Sequence, residues 1–158
     1  IQRMRATINA SGAQSLDAAP DSIIDSADLP AMIKNALSHY WGGPKLTDSP
    51  LMRLRIVQQA LREHNGNATN ALRAVLQQAI ERIKPEGQRK FTADWILYNI
   101  LEMKFLQNRR VREVALRLAV SEADLYRKQR AAIEQVAQAI AQMEREAAER
   151  ATDYDVAG

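Results

Sequence analysis

The 158 residues include no cysteine, which excludes disulfides, zinc-thiolate sites and thiol nucleophiles and fits a reducing compartment. Histidines number two, His39 and His64. Neither has a carboxylate at helical metal-ligand spacing or a nucleophile pattern beside it, so no metal site, no cofactor and no enzyme activity are expected. No apolar run approaches the roughly 20 residues that cross a bilayer. The opening IQRMRATINASG also lacks the apolar centre of a signal peptide, so a membrane is not among the expected partners and the cytoplasm is the default location. The chain opens on Ile1 rather than Met, as a fragment or a processed product would. Aromatics make up only 5%; a core here must be built from aliphatic and small side chains. Proline and glycine are also sparse, and from Glu122 neither occurs before Gly158, so nothing local interrupts a long helix there.

What the sequence does contain is Ala, Leu, Gln, Glu and Arg, the residues of helices that pack by small and aliphatic contacts. An all-α fold follows: a multi-helix domain with an N-terminal helical hairpin and a long C-terminal helix. The chain divides into a flexible arm or upstream linker over 1–27, a helical subdomain over 28–88, a second helical unit over 89–150 and a disordered tail over 151–158. The stretch LPAMIKNALSHY gives a helix from Leu29 to Tyr40, with Pro30 in its first turn and Met32, Ile33, Ala36 and Leu37 on one stripe. In HYWGGPK the glycines reverse the chain and Trp41 seals the edge of the core; the other reading is an exposed loop that docks a partner. Ser49 and Pro50 open the next helix as cap and first residue, and Asn65-Gly66 end it. A further helix with Leu72, Val75, Leu76, Ile80 and Ile83 stops at Pro85, and the pair forms a hairpin. The following segment, FTADWILYNILEMKFLQNRR, offers Thr92 as a cap and is apolar nearly all round, which places it centrally.

Charge is concentrated rather than large. Between Lys104 and Arg130 eight cations face three carboxylates, a surplus of five against a net +3 for the whole chain. This stretch also has the grammar of a helix-turn-helix. Val114 and Leu118 form the inner face of a short helix, Ala115 is small enough for a close crossing, Ser121 caps the next helix and Leu125 anchors it. The opposite face then offers Glu122, Ala123, Tyr126, Arg127 and Arg130. Arg127, Lys128 and Arg130 suit phosphates or guanine acceptors, Tyr126 a phosphate or thymine methyl, and Glu122 a cytosine amino group. Arg109 and Arg110 enter the motif where they can clamp the backbone, while Arg117 has Glu113 four residues earlier as an alternative partner. The simpler reading of these cations is a solvated helix face.

In Glu113-Val114-Ala115, Arg117-Leu118, Val120-Ser121 and Leu125-Tyr126-Arg127, the chain resembles the helix-turn-helix of sigma-factor region 4 and of LuxR-type regulators, over about residues 91 to 135. It departs at Ala119, where those families usually carry glycine for a left-handed turn. The resemblance implies a tetrahelical helix-turn-helix and a transcriptional regulator that occupies double-stranded DNA through the major groove, with RNA polymerase or an upstream regulatory domain as further partners. A second candidate reader, NGNATNALRAVL, has the GN turn of Fis-type motifs, but its helical pattern runs on to Ile83 where a new turn is required.

Beyond Arg130, Ile133, Val136, Ile140 and Met143 are spaced three and four apart on a polar helix. This seam either packs on the N-terminal hairpin or pairs with a second copy to form a homodimer, whose recognition helices would lie about 34 Å apart. The alternative to DNA binding is a helical interaction or dimerisation module built from the same elements.

Overall fold

The structure, a computed structural model, describes residues 20–42, 44–88 and 92–157. Among these every regular element is helical: α1 (Pro20–Ile24), α2 (Leu29–Ser38), α3 (Pro44–Thr47), a 3-10 turn (Pro50–Arg53), α4 (Arg55–Glu63), α5 (Ala68–Arg82), α6 (Ala93–Ile100), a π-helical segment (Leu101–Leu106), α7 (Val111–Leu118) and α8 (Glu122–Ala157). The all-α expectation holds. No helix among the described residues is long and apolar enough to cross a membrane.

Helix α2 buries Leu29, Ile33, Ala36 and Leu37, one stripe at helical spacing. In the α4–α5 hairpin, Asn65 (φ 57°) and Gly66 (φ 82°) adopt left-handed backbone, and the Gly66 N–H reaches back to the Leu61 carbonyl at 2.8 Å. Asn67 caps α5 by accepting from the Asn70 N–H at 3.0 Å. Thr92 occupies the cap position of α6, but its side chain makes no cap hydrogen bond.

The helix expected from Pro50 is two pieces. Ser49 Oγ accepts from the Leu51 N–H at 3.1 Å, yet this starts only the 3-10 turn. Leu54 then turns extended (φ −66°, ψ 145°) and is wholly buried, and the chain restarts as α4. The new helix has no cap from its own neighbourhood. Instead the Glu144 carboxylate of α8 accepts from the Arg55 N–H through Oε2 and from the Ile56 N–H through Oε1, both at 3.1 Å. The Arg55 guanidinium adds a 3.1 Å ion pair to the same carboxylate, which is itself fully buried. Two orphan helix donors and one cation thus satisfy a charge that would otherwise be costly to desolvate.

Two apolar clusters emerge. The larger takes Ile23 and Ile24 of α1, the stripes of α2, α4 and α5, Trp95, Tyr98, Leu101 and Phe105, and Ala132 to Ala147 of α8. The smaller joins Ile100, Met103, Val114, Ala115 and Leu125, with Ile96, Val111, Leu118 and Val120 packed around them. The α6 and π segment is apolar nearly all round because it serves both, with 95, 98, 101 and 105 facing one cluster and 96, 100 and 103 the other.

Four expectations are corrected. The arm over 1–27 is structured from Pro20, since Ile23 and Ile24 are buried in the large cluster; residues 1–19 lie outside the described residues. The tail over 151–158 is helical to Ala157. A boundary near residue 88 does not separate the cores, because α8 runs from the small cluster into the large one. Finally, Ile133, Val136, Ile140 and Met143 do not form an exposed dimer seam: all four are buried within the chain, where α8 packs against α1, α2, α4, α5 and α6. Each large aliphatic side chain gains about 1.5–3 kcal/mol from that burial, so the intramolecular site wins.

Candidate nucleic-acid interface

The motif begins with an unusual helix end. After the π segment the Gln107 N–H donates to the Glu102 carbonyl at 2.8 Å and the Arg109 N–H to Met103 at 3.0 Å, and Asn108 turns left-handed (φ 55°). These wide closures redirect the chain, and α7 starts at Val111 with Arg110 extended at its cap position. Val114 and Ala115 then face the small core.

Helix α7 ends on Ala119, which adopts φ 57° and ψ 44°. The Val120 N–H closes back on the Ala115 carbonyl at 3.0 Å and the Ala119 N–H on Leu116 at 3.2 Å. This is a left-handed helix stop of the kind glycine normally provides, built here on alanine at a cost of about 1–2 kcal/mol for the Cβ. Ser121 Oγ accepts from the Asp124 N–H at 3.0 Å and so caps α8, as its position in the sequence implied. Leu125 is fully buried, while Glu122, Ala123, Tyr126, Arg127 and Arg130 are exposed, the face expected to point outward.

The cations on and before this face are not equally available. Arg127 pairs with Asp124 at 2.8 Å and Lys128 approaches the same carboxylate at 3.5 Å. The hydrogen bond from Arg127 holds the Asp124 carboxyl below its ordinary value; desolvation opposes this and the charge of Lys128 reinforces it. Arg109 pairs with Glu113 and donates through Nε to Gln107 Oε1 at 2.6 Å. The expected Arg117–Glu113 pair is therefore replaced by Arg109–Glu113. Arg110, Arg112, Arg117 and Arg130 form no ion pair among the described residues and, all exposed, are the freer charges.

Tyr126 is 47% exposed, with the Lys104 ammonium 5.0 Å from its ring centre. Arg130 borders a small cleft with Pro30, Ala31 and Lys34 of α2, so α2 flanks the outward face on one side. Sequence reasoning missed Lys34, whose only signal is that it is the one charged residue of α2. It also misplaced Trp41, which does not seal the core edge: it is 55% exposed. Among the described residues no three His, Asp or Glu side chains gather as a metal site would require.

Comparison with protein-family models, curated proteins and solved structures finds no match for this chain. Any functional reading rests on the geometry above.

Proposed function

We propose that the chain binds double-stranded DNA, as a transcriptional regulator or the DNA-binding part of one, by seating the first turns of α8 in the major groove. The observation that carries this is the α7–turn–α8 corner. A left-handed stop at Ala119, a Ser121 cap and a single inward anchor at Leu125 turn Glu122, Tyr126, Arg127 and Arg130 to solvent together. Arg127, Lys128 and Arg130 take phosphates or guanine edges, Tyr126 and Glu122 contribute further base or backbone contacts, and Arg109 and Arg110 hold the flanking backbone. The mechanism is occupancy, with no covalent step.

The pairing of Arg127 and Lys128 with Asp124 is a weak obstacle. An exposed ion pair is worth about 0.2–1 kcal/mol, whereas a hydrogen bond to a charged phosphate contributes about 1.5–3 kcal/mol. Exchange of partners therefore favours DNA. The rival reading, a protein-interaction module, draws on Leu116, which is 76% exposed on α7.

The test is fluorescence anisotropy of a labelled mixed-sequence duplex over a salt series. About five phosphate contacts give a log-log slope of roughly −4 to −5, and replacing Arg127 and Lys128 with Ala reduces it by about two. Binding by the double variant equal to the wild type, or a flat salt response, moves the reading to the interaction module.

A further inference from the structure

Trp41 is held in place without being buried. Its indole N–H donates to the Leu106 carbonyl at 3.2 Å, its edge meets Tyr40 at 5.0 Å, and the Arg73 guanidinium lies 4.8 Å from its ring centre. Arg73 is fixed in turn by donating through Nε to the Tyr40 carbonyl at 2.6 Å. More than half of the tryptophan nevertheless faces solvent. A ring locked by three contacts and left wet is a preorganised platform, because binding on it costs little further rotamer entropy.

The platform stands in a cleft of about 670 Å³ between the loop after α2 and the start of α7. The lining carries Lys104, Arg109 and Arg110 and no carboxylate side chain. Glu113 offsets Arg109, which leaves Lys104 and Arg110 as the charges to be met. Lys104 donates to the buried Gln129, lies over the rings of Phe105 and Tyr126, and has its pKa lowered, first by burial and then by the charge of Lys34. An incoming anion offsets the charge of Lys34 and favours the ammonium form.

These features select the occupant. A cationic ligand is repelled by the lining, and Arg73 already uses the tryptophan's capacity for a cation. An aliphatic ligand leaves Lys104 and Arg110 unmatched. A planar, uncharged ring joined to phosphates fits both halves of the site, and in a duplex the base faces are covered by their neighbours. From this we infer that the Trp41 cleft binds single-stranded nucleic acid, with an unstacked base on the indole and the flanking phosphates on Arg110 and Lys104. Tyr126, exposed and 5.0 Å from the Lys104 ammonium, offers a further ring beside the site. The site shares Arg110 with the proposed duplex-reading face, but Trp41 and Lys104 have no part in that proposal, so the two are separated at Trp41.

The experiment titrates the full chain with an oligothymidylate of about ten nucleotides, within the usual size of such sites, and follows tryptophan emission. Only Trp41 is accessible, since Trp95 is 2% exposed. The expected result is quenching of the exposed-indole component. By anisotropy of an end-labelled oligothymidylate, a readout that needs no tryptophan, Trp41→Ala weakens binding roughly 5- to 150-fold, the range a base–aromatic stack supplies, and Trp41→Phe retains most of it. Arg110→Ala flattens the log-log salt slope by about 0.7. If circular dichroism shows that Trp41→Ala is unfolded, Trp41→Leu, which keeps an apolar side chain but offers no stacking face, carries the test with the same expected loss. Absence of quenching, binding indifferent to both positions, or equal quenching by polyglutamate overturns the inference, the last by making the cleft a site for acidic protein. Duplex affinity is scored separately: it stays intact in Trp41→Ala and falls in the Arg127/Lys128 variant, so either proposal can fail alone.

Discussion

The two apolar clusters of this protein are built to different standards. The large one draws on seven helices and is tied at its edge by the buried Glu144 carboxylate, by Arg82–Glu146 at 2.8 Å and by Arg145–Asp25 at 3.8 Å. The small one has five buried residues and a strained alanine at its turn. One region is closed by interactions between distant parts of the chain; the other is assembled from a short local stretch and leaves its opposite face in water. Stability is concentrated in the large cluster, and the α7–turn–α8 corner is the thinner structure attached to it.

Three substitutions sharpen this contrast. Glu144→Ala strips two helix donors of their acceptor, which costs about 1–3 kcal/mol for each donor left unsatisfied, while the Arg55 guanidinium, 39% exposed, is left to water. Urea unfolding should show that loss in the global transition; a change below about 1 kcal/mol would mean that water replaces the carboxylate and that the cap is dispensable. Leu125→Ala removes the one inward anchor of the first turns of α8. Leucine truncations cost about 2–5 kcal/mol, and about 2 kcal/mol is expected for so small a cluster. Hydrogen exchange should accelerate in α7 while α4 and α5 keep their protection. Equal acceleration throughout would show that the two clusters unfold as one. Ala119→Gly removes the Cβ from a left-handed residue and should stabilise the protein by about 1 kcal/mol, read as a raised Tm. No gain would mean that the turn relaxes away from this conformation in solution.

Much of the fold was legible because its signals are local. Ser121, Asn65, Gly66 and the three-and-four spacing of Ile133 to Met143 each act within one or two turns of chain. What was not legible depends on residues far apart. The break at Leu54 makes sense only with Glu144, almost ninety positions later, capping the helix that restarts beyond it. The apolar seam of α8 had two possible partners in the sequence and only the fold decides between them. Likewise Trp41 looked like a core residue until the carbonyl of Leu106 and the guanidinium of Arg73 were seen to hold it at the surface. At the candidate interface the outward residues were readable from helical spacing, but the capture of Arg127 by Asp124 and of Arg109 by Glu113 was not. Spacing offered Glu113 to Arg117 as well as to Arg109, and side-chain geometry makes the choice.

Helix α8 spans 36 residues without interruption, a rod of about 54 Å at the usual rise of 1.5 Å per residue. Its first turns belong to the corner that faces outward, and the stretch from Ala132 to Ala147 packs into the large cluster. The corner therefore has no hinge of its own on that side. A push delivered to the body, by a second domain or a bound protein, would reach the leading end as tilt and displacement of a lever rather than as a change of local shape. Control of this surface from a distance would then be mechanical, set by where the rod is gripped.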